Sequence, residues 1–86
     1  SWGNVKTLAG DERWLRFAQL VRRANRTRGY GDFYHYHLLA RGAIDALIES
    51  DVNILDIAAL VVIVREAGGV FTDLEGREPD LATTSV

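Results

Sequence analysis

The chain has 86 residues, 48% of them hydrophobic and 26% charged, a globular composition that excludes a disordered polar tract. A formal net charge of -2 does not favour nucleic acid as a partner, and the absence of cysteine removes disulfides and thiolate-bound zinc. The longest apolar run, Ile57 to Val64, falls far short of the roughly 20 residues that cross a bilayer, which excludes a membrane partner of that kind.

Ser1 to Gly10 carries no clear signal, and no basic stretch leads into an apolar one as in a signal peptide. From Asp11 the pattern changes. Trp14, Phe17, Ala18, Val21 and Ala24 recur at helical spacing, Asp11 and Glu12 stand at the start, and Arg22 and Arg23 stand near the end. The spacing predicts an amphipathic helix over 11–25. Arg13, Arg16, Arg22, Arg23, Arg26 and Arg28 form a basic series open to two readings, a phosphate or nucleic-acid patch or a solvated helix face with its C-terminal cations. For the helical arginines the second is favoured, because the overall charge is negative and no aromatics interleave for base stacking.

Gly31-Asp32 opens the next element, with Asp32 placed as an N-cap and a helix expected over 33–41, ended by Gly42. Its two histidines, His35 and His37, point to different sides of a helix and cannot chelate one metal from it, so they read as structural or surface residues. Ile44 to Glu49 alternates and reads as a strand, and Ser50 to Asn53 turns the chain. Asn53 fits an N-cap with Asp56 three positions on, opening a helix from Ile54 that is apolar on nearly every side and so expected to be covered on most sides. Gly68-Gly69 supplies a left-handed exit, Val70 to Asp73 reads as a strand, and Leu74 to Gly76 as a turn. The last ten residues show no clear element.

Strands separated by helices imply crossover connections, so the predicted fold class is α/β with a mixed or largely parallel sheet. No boundary divides the chain, and methionine is absent even at position 1. Residues 1–86 are therefore expected to form a single partial domain, a piece of a longer protein. There is no phosphate-cradling glycine loop, since Gly29-Tyr-Gly31 lacks its further glycine and no lysine follows, and neither Ser50 nor Ser85 has a histidine nearby to activate it. What remains is a set of acids at element ends: Asp32, Glu49, Asp51 and Asp56. Ligands of parallel α/β sheets gather at such junctions, and Mg²⁺ is held by one or two carboxylates with water and phosphate. Asp56 thus has two available roles, capping a helix or holding a cation.

Several motifs resemble the inositol monophosphatase family. They are Ile54-Leu-Asp-Ile-Ala-Ala59, then Val64-Arg-Glu-Ala-Gly-Gly69, Phe71-Thr-Asp73 and Gly76, with Arg28-Gly-Tyr-Gly-Asp-Phe33 and Ala40-Arg-Gly-Ala-Ile-Asp45 upstream. The Gly-Asp-Phe form, with Ala-Ala-Leu after the metal aspartate, is most similar to the histidinol-phosphate phosphatase branch. The resemblance implies most of that family's C-terminal subdomain, cut at both ends, from a cytoplasmic Mg²⁺-dependent phosphomonoesterase of histidine biosynthesis. It further implies a small phosphorylated substrate, histidinol phosphate or else an inositol phosphate, and a homodimeric full-length protein. Asp56 matches the family's C-terminal metal ligand, and Glu49 matches an acid on the leaving-group side of the substrate. Asp32 stands where a Ser or Thr is usual and would suit a cationic substrate. Arg28 is a further polar contact near the pocket. Leu55 replaces the usual Trp before the metal aspartate. The family's Asp-Pro-Leu-Asp-Gly-Thr motif, with its other ligands and water-activating group, is absent, so no catalytic residue is expected in this piece. In isolation it would be a non-catalytic structural or interaction module.

Overall fold

The computed structural model describes residues 1–86, folded as four helices joined by extended segments and turns. Helix α1 is a single turn at Lys6–Ala9, α2 spans Arg13–Arg23, α3 Asp32–Ala40 and α4 Ile54–Glu66. No helix is long and apolar enough to cross a membrane.

Helix α4 starts and stops by local chemistry. The Asn53 side chain accepts the Leu55 N–H at 2.9 Å, and the Asp56 carboxylate accepts the Asn53 N–H at 3.0 Å, so the two side chains cap the helix reciprocally. At the other end Gly68 adopts φ 87°, its N–H donating to the Arg65 carbonyl while the Gly69 N–H donates to that of Val64. These are the paired bonds that close a helix through a left-handed residue. Gly69 packs so tightly that an added Cβ would sit 2.7 Å from a Val64 methyl.

Helix α3 packs on α4. Tyr36, Ile57, Leu60, Val64 and Phe71 form the core with Val52 and Val86, and the Tyr36 ring stacks on Phe71 with centroids 5.6 Å apart. The expectation that α4 would be covered on most sides is not met. Ile57, Leu60 and Val64 are buried, while Leu55 is 90% exposed and Val62 and Ile63 also face outward. Helix α2 is strongly one-sided, as the spacing predicted, yet none of its residues is buried. It is tethered by Phe17 against Trp2 and by Arg13, which pairs with Asp11 and with Glu75.

The predicted α/β sheet is not formed. Three extended segments lie side by side, with residues 48–52 between residues 1–4 and 84–86, but they meet only at a parallel bridge, Trp2 with Ile48, and an antiparallel bridge, Ser50 with Ser85. A sheet needs successive pairs along one ladder, and these contacts are too short-ranged to supply them. The apolar character of Val70 to Asp73 promised another strand. Instead Val70 stands exposed, and Asp73 makes a local turn, its N–H donating to the Arg77 carbonyl and its carboxylate pairing with the Arg77 guanidinium.

A candidate substrate-binding site around Glu49

Glu49 lies in the extended segment between the two termini, and its backbone exchanges both hydrogen bonds with Val86 at 2.8 Å. Alternation along that segment turns its side chain inward, where it is 5% exposed. There Oε2 accepts the Tyr36 hydroxyl at 2.7 Å and stands 3.2 Å from His35 Nε2. His35 is fully buried, and its other ring nitrogen, Nδ1, lies 3.2 Å from Ser1 Oγ, which in turn accepts the Tyr30 N–H. The floor of this network is Gly3, where any Cβ would collide with the Glu49 carboxylate.

A carboxylate has only acceptor sites, so the proton between His35 and Glu49 belongs to Nε2. Burial pushes the His35 imidazolium down against the opposing pull of the Glu49 hydrogen bond and charge. Asp32 also favours the charged form. A neutral ring leaves Nδ1 as an acceptor for the Ser1 hydroxyl. Burial likewise pushes the Tyr36 phenol up, reinforced by the Glu49 hydrogen bond and charge and then by Asp56.

The sequence-derived site residues are therefore only partly united. Asp32 and Asp56 act through space on His35 and Tyr36 respectively, but neither carboxylate touches Glu49. Asp32 is not the N-cap of α3. Gly31 holds the cap position without a side-chain bond, and Asp32 is the first helical residue, at φ 46°. Asp56 is exposed, one oxygen engaged in the α4 cap. No three His, Cys, Asp or Glu side chains converge as a metal cluster. Arg28 bonds its own neighbour, the Thr27 carbonyl, and lines a different feature. That feature is an apolar cleft of about 520 Å³ between α2 and residues 43–48, bordered by Trp2, Phe17 and Leu20. A second, polar cleft of about 250 Å³ lies between Arg13, Arg77 and residues 82–85. Neither cleft is lined by Asp32, Glu49 or Asp56.

Sequence reasoning missed His35, Tyr36 and Gly3 beside Glu49, and Ser1 as the partner of His35. One signal was available: two polar-tipped aromatic residues side by side on a helix, followed by an acid at the end of an alternating segment.

The inositol monophosphatase family matches residues 4–86 of the chain. The chain is 48% identical over 61 residues to the histidinol-phosphatase of Streptomyces coelicolor, a stretch covering 71% of this chain and 23% of that protein. It is 49% identical over 61 residues to the histidinol-phosphatase of Mycobacterium tuberculosis, covering 71% of this chain and 24% of the relative. With the Arabidopsis thaliana protein named bifunctional phosphatase IMPL2, chloroplastic, it shares 47% identity over 49 residues, covering 56% of this chain and 14% of the relative. The matched stretch thus spans about a quarter or less of each of these relatives. No solved structure matches the chain. The match over nearly its whole length and the identity to the two bacterial relatives establish that the chain belongs to the inositol monophosphatase family, on its histidinol-phosphatase branch.

Proposed function

We propose that this chain is part of a Mg²⁺-dependent phosphomonoesterase that hydrolyses histidinol phosphate. The observation that carries the reading is the buried Glu49 carboxylate, which meets hydrogen-bond donors but no arginine or lysine within the chain. A nearly dry carboxylate suits a substrate bearing an ammonium and an imidazole better than a neutral polyol. The similarity to named histidinol-phosphatases supports the same choice. Asp32, whose charge reaches His35, adds to the negative potential on that side. Arg28, exposed and apart from this group, is assigned only a peripheral polar contact.

Asp56 is proposed as the metal ligand. Its carboxylate fits a hard cation: one oxygen accepts the Asn53 N–H, the other accepts no hydrogen bond from the chain, and the residue is exposed. Helix capping and metal binding are therefore compatible roles. Mg²⁺ would polarise a phosphoryl oxygen and make a bound water more acidic. Asp56 would fix one side of the ion, Glu49 and Asp32 would orient the cationic end of the substrate, and the remaining ligands would come from elsewhere in the full-length protein. The 86-residue chain alone is accordingly proposed to be inactive. An inositol phosphate is the competing substrate, and the homodimeric, cytoplasmic character implied by the family resemblance is part of the same proposal.

The test is Asp56→Asn in the full-length enzyme, assayed on histidinol phosphate at saturating Mg²⁺. Losing even an outer-shell partner of a metal ligand costs roughly 10- to 100-fold, so loss of a ligand should cost at least about 100-fold in kcat/KM. Near-normal turnover would remove Asp56 from the metal site. A kcat/KM higher on inositol 1-phosphate than on histidinol phosphate would transfer the substrate assignment.

A further inference from the structure

The Glu49 carboxylate commits one oxygen to the protein and keeps the other. Oε2 takes both the Tyr36 hydroxyl and the His35 Nε2–H, while Oε1 accepts no hydrogen bond from the chain and lies against Gly3, where no side chain fits. The arginines that form ion pairs serve other acids: Arg13 pairs with Asp11 and Glu75, Arg65 with Glu78 and Arg77 with Asp73. The basic group on Glu49 is His35, fully buried and held neutral by that burial. A relay of uncharged donors results. The Tyr30 N–H serves Ser1 Oγ, the Ser1 hydroxyl serves His35 Nδ1, and Nε2–H serves Glu49. Among the side chains, the charged groups bearing on His35 are Glu49 and Asp32, both acids. The negative charge on Glu49 thus remains uncompensated in a place almost closed to water, an arrangement completed by a cation.

We infer that His35 and Tyr36 are positioning residues that grip Glu49 by Oε2, so that Oε1, bare beside Gly3, receives a cationic nitrogen of the substrate rather than a neutral hydroxyl. This deepens the reading of Glu49 as a substrate contact and rests on it. The grip fixes the carboxylate rotamer before the substrate arrives, and neutrality of His35 leaves the charge of Glu49 unspent. A protonated His35 would fill the need that a substrate ammonium or imidazolium fills.

The test is kinetic and spectroscopic, on the full-length enzyme. Tyr36→Phe keeps the ring stacked on Phe71 and removes only the hydroxyl, His35→Phe removes the other donor, and His35→Gln returns a donor amide. Losing a hydrogen bond to a charged group is expected to raise KM for histidinol phosphate roughly tenfold in Tyr36→Phe and His35→Phe. The kcat should stay within about twofold, KM for inositol 1-phosphate should be unmoved, and His35→Gln should recover most of the loss. An unchanged KM for histidinol phosphate in folded Tyr36→Phe overturns the inference, as does an equal rise for both esters, which would mark a merely structural role. Nitrogen NMR of labelled histidine decides independently of the kinetics. A neutral His35 ring with its proton on Nε2 at neutral pH is expected, and a charged ring or the Nδ1–H tautomer overturns the positioning claim. Wild-type enzyme that leaves histidinol phosphate untouched overturns the proposed function itself, a failure read on unaltered protein and so distinct from the others.

Discussion

Helices α2 and α4 are built from similar apolar residues and meet opposite fates. Helix α4 is apolar almost all round and buries Ile57, Leu60 and Val64 against α3 and Phe71. Helix α2 has a sharply divided apolar face yet no fully buried residue, Phe17, Ala18 and Val21 being half-buried. Sidedness records that a helix has a face suited to a partner, whereas burial records that a partner is present. The spacing of Trp14, Phe17 and Val21 specified a helix correctly, but no spacing could specify what would cover it.

Substitutions in the two helices test that contrast, the largest effect coming from α4. Ile57→Ala should destabilise the chain by about 2–5 kcal/mol in urea unfolding, because it opens a cavity at the centre of the core. A change below about 1 kcal/mol would mean that α4 is no better covered than α2. Removing the cap with Asn53→Ala should cost about 1 kcal/mol, measured the same way and expected with no change in m-value. Acid should act next, through His35. Unfolded, this imidazole takes up a proton near its ordinary value of 6.5, whereas burial holds the folded group lower. Between those two values the unfolded chain binds more protons, so stability is full above 6.5 and is lost as the pH falls toward the folded value. His35→Gln should flatten that part of the pH–stability curve, and an unaltered slope would assign it to other groups. The smallest effect should come from Leu20→Ala on α2, within about 0.5 kcal/mol of wild type. A loss above about 1 kcal/mol would show the α2 face to be covered in solution and would break the comparison.

Much of the helical structure was legible in the sequence. Periodicity, Asn53 with Asp56, and Gly68-Gly69 located three helices to within about two residues at each end, an ordinary uncertainty for such boundaries. These are local signals acting within one turn. The single turn α1 escaped because Lys6–Ala9 offers neither a side-chain cap nor a repeated face. The sheet was overread for the opposite reason, since a strand is completed by partners distant in sequence. Ile44 to Glu49 reads as a strand, but its end meets only short stretches near the two termini, and Val70 to Asp73 meets none. The site divides in the same way. Glu49 was visible as an acid at a junction, and Asp56 as a cap that could also hold a cation. The partners of Glu49 were hidden, because Tyr36 and His35 lie in another element and their bond to it depends on how α3 seats against the extended segment.

The central extended segment also has a consequence in time. Residues 48–52 are gripped from both ends of the chain, by Asn4 and Gly3 on one side and by Thr84 and Val86 on the other. The α3–α4 pair can assemble early from contacts close in sequence, but these two flanks must each close a long loop, and such contacts form late. In that order of events Glu49 would lose its water after the α3–α4 pair has formed. Any intermediate with one flank undocked would hold a helical core and a wet, mobile carboxylate, so the proposed contact of Glu49 with a substrate cation would need both flanks in place.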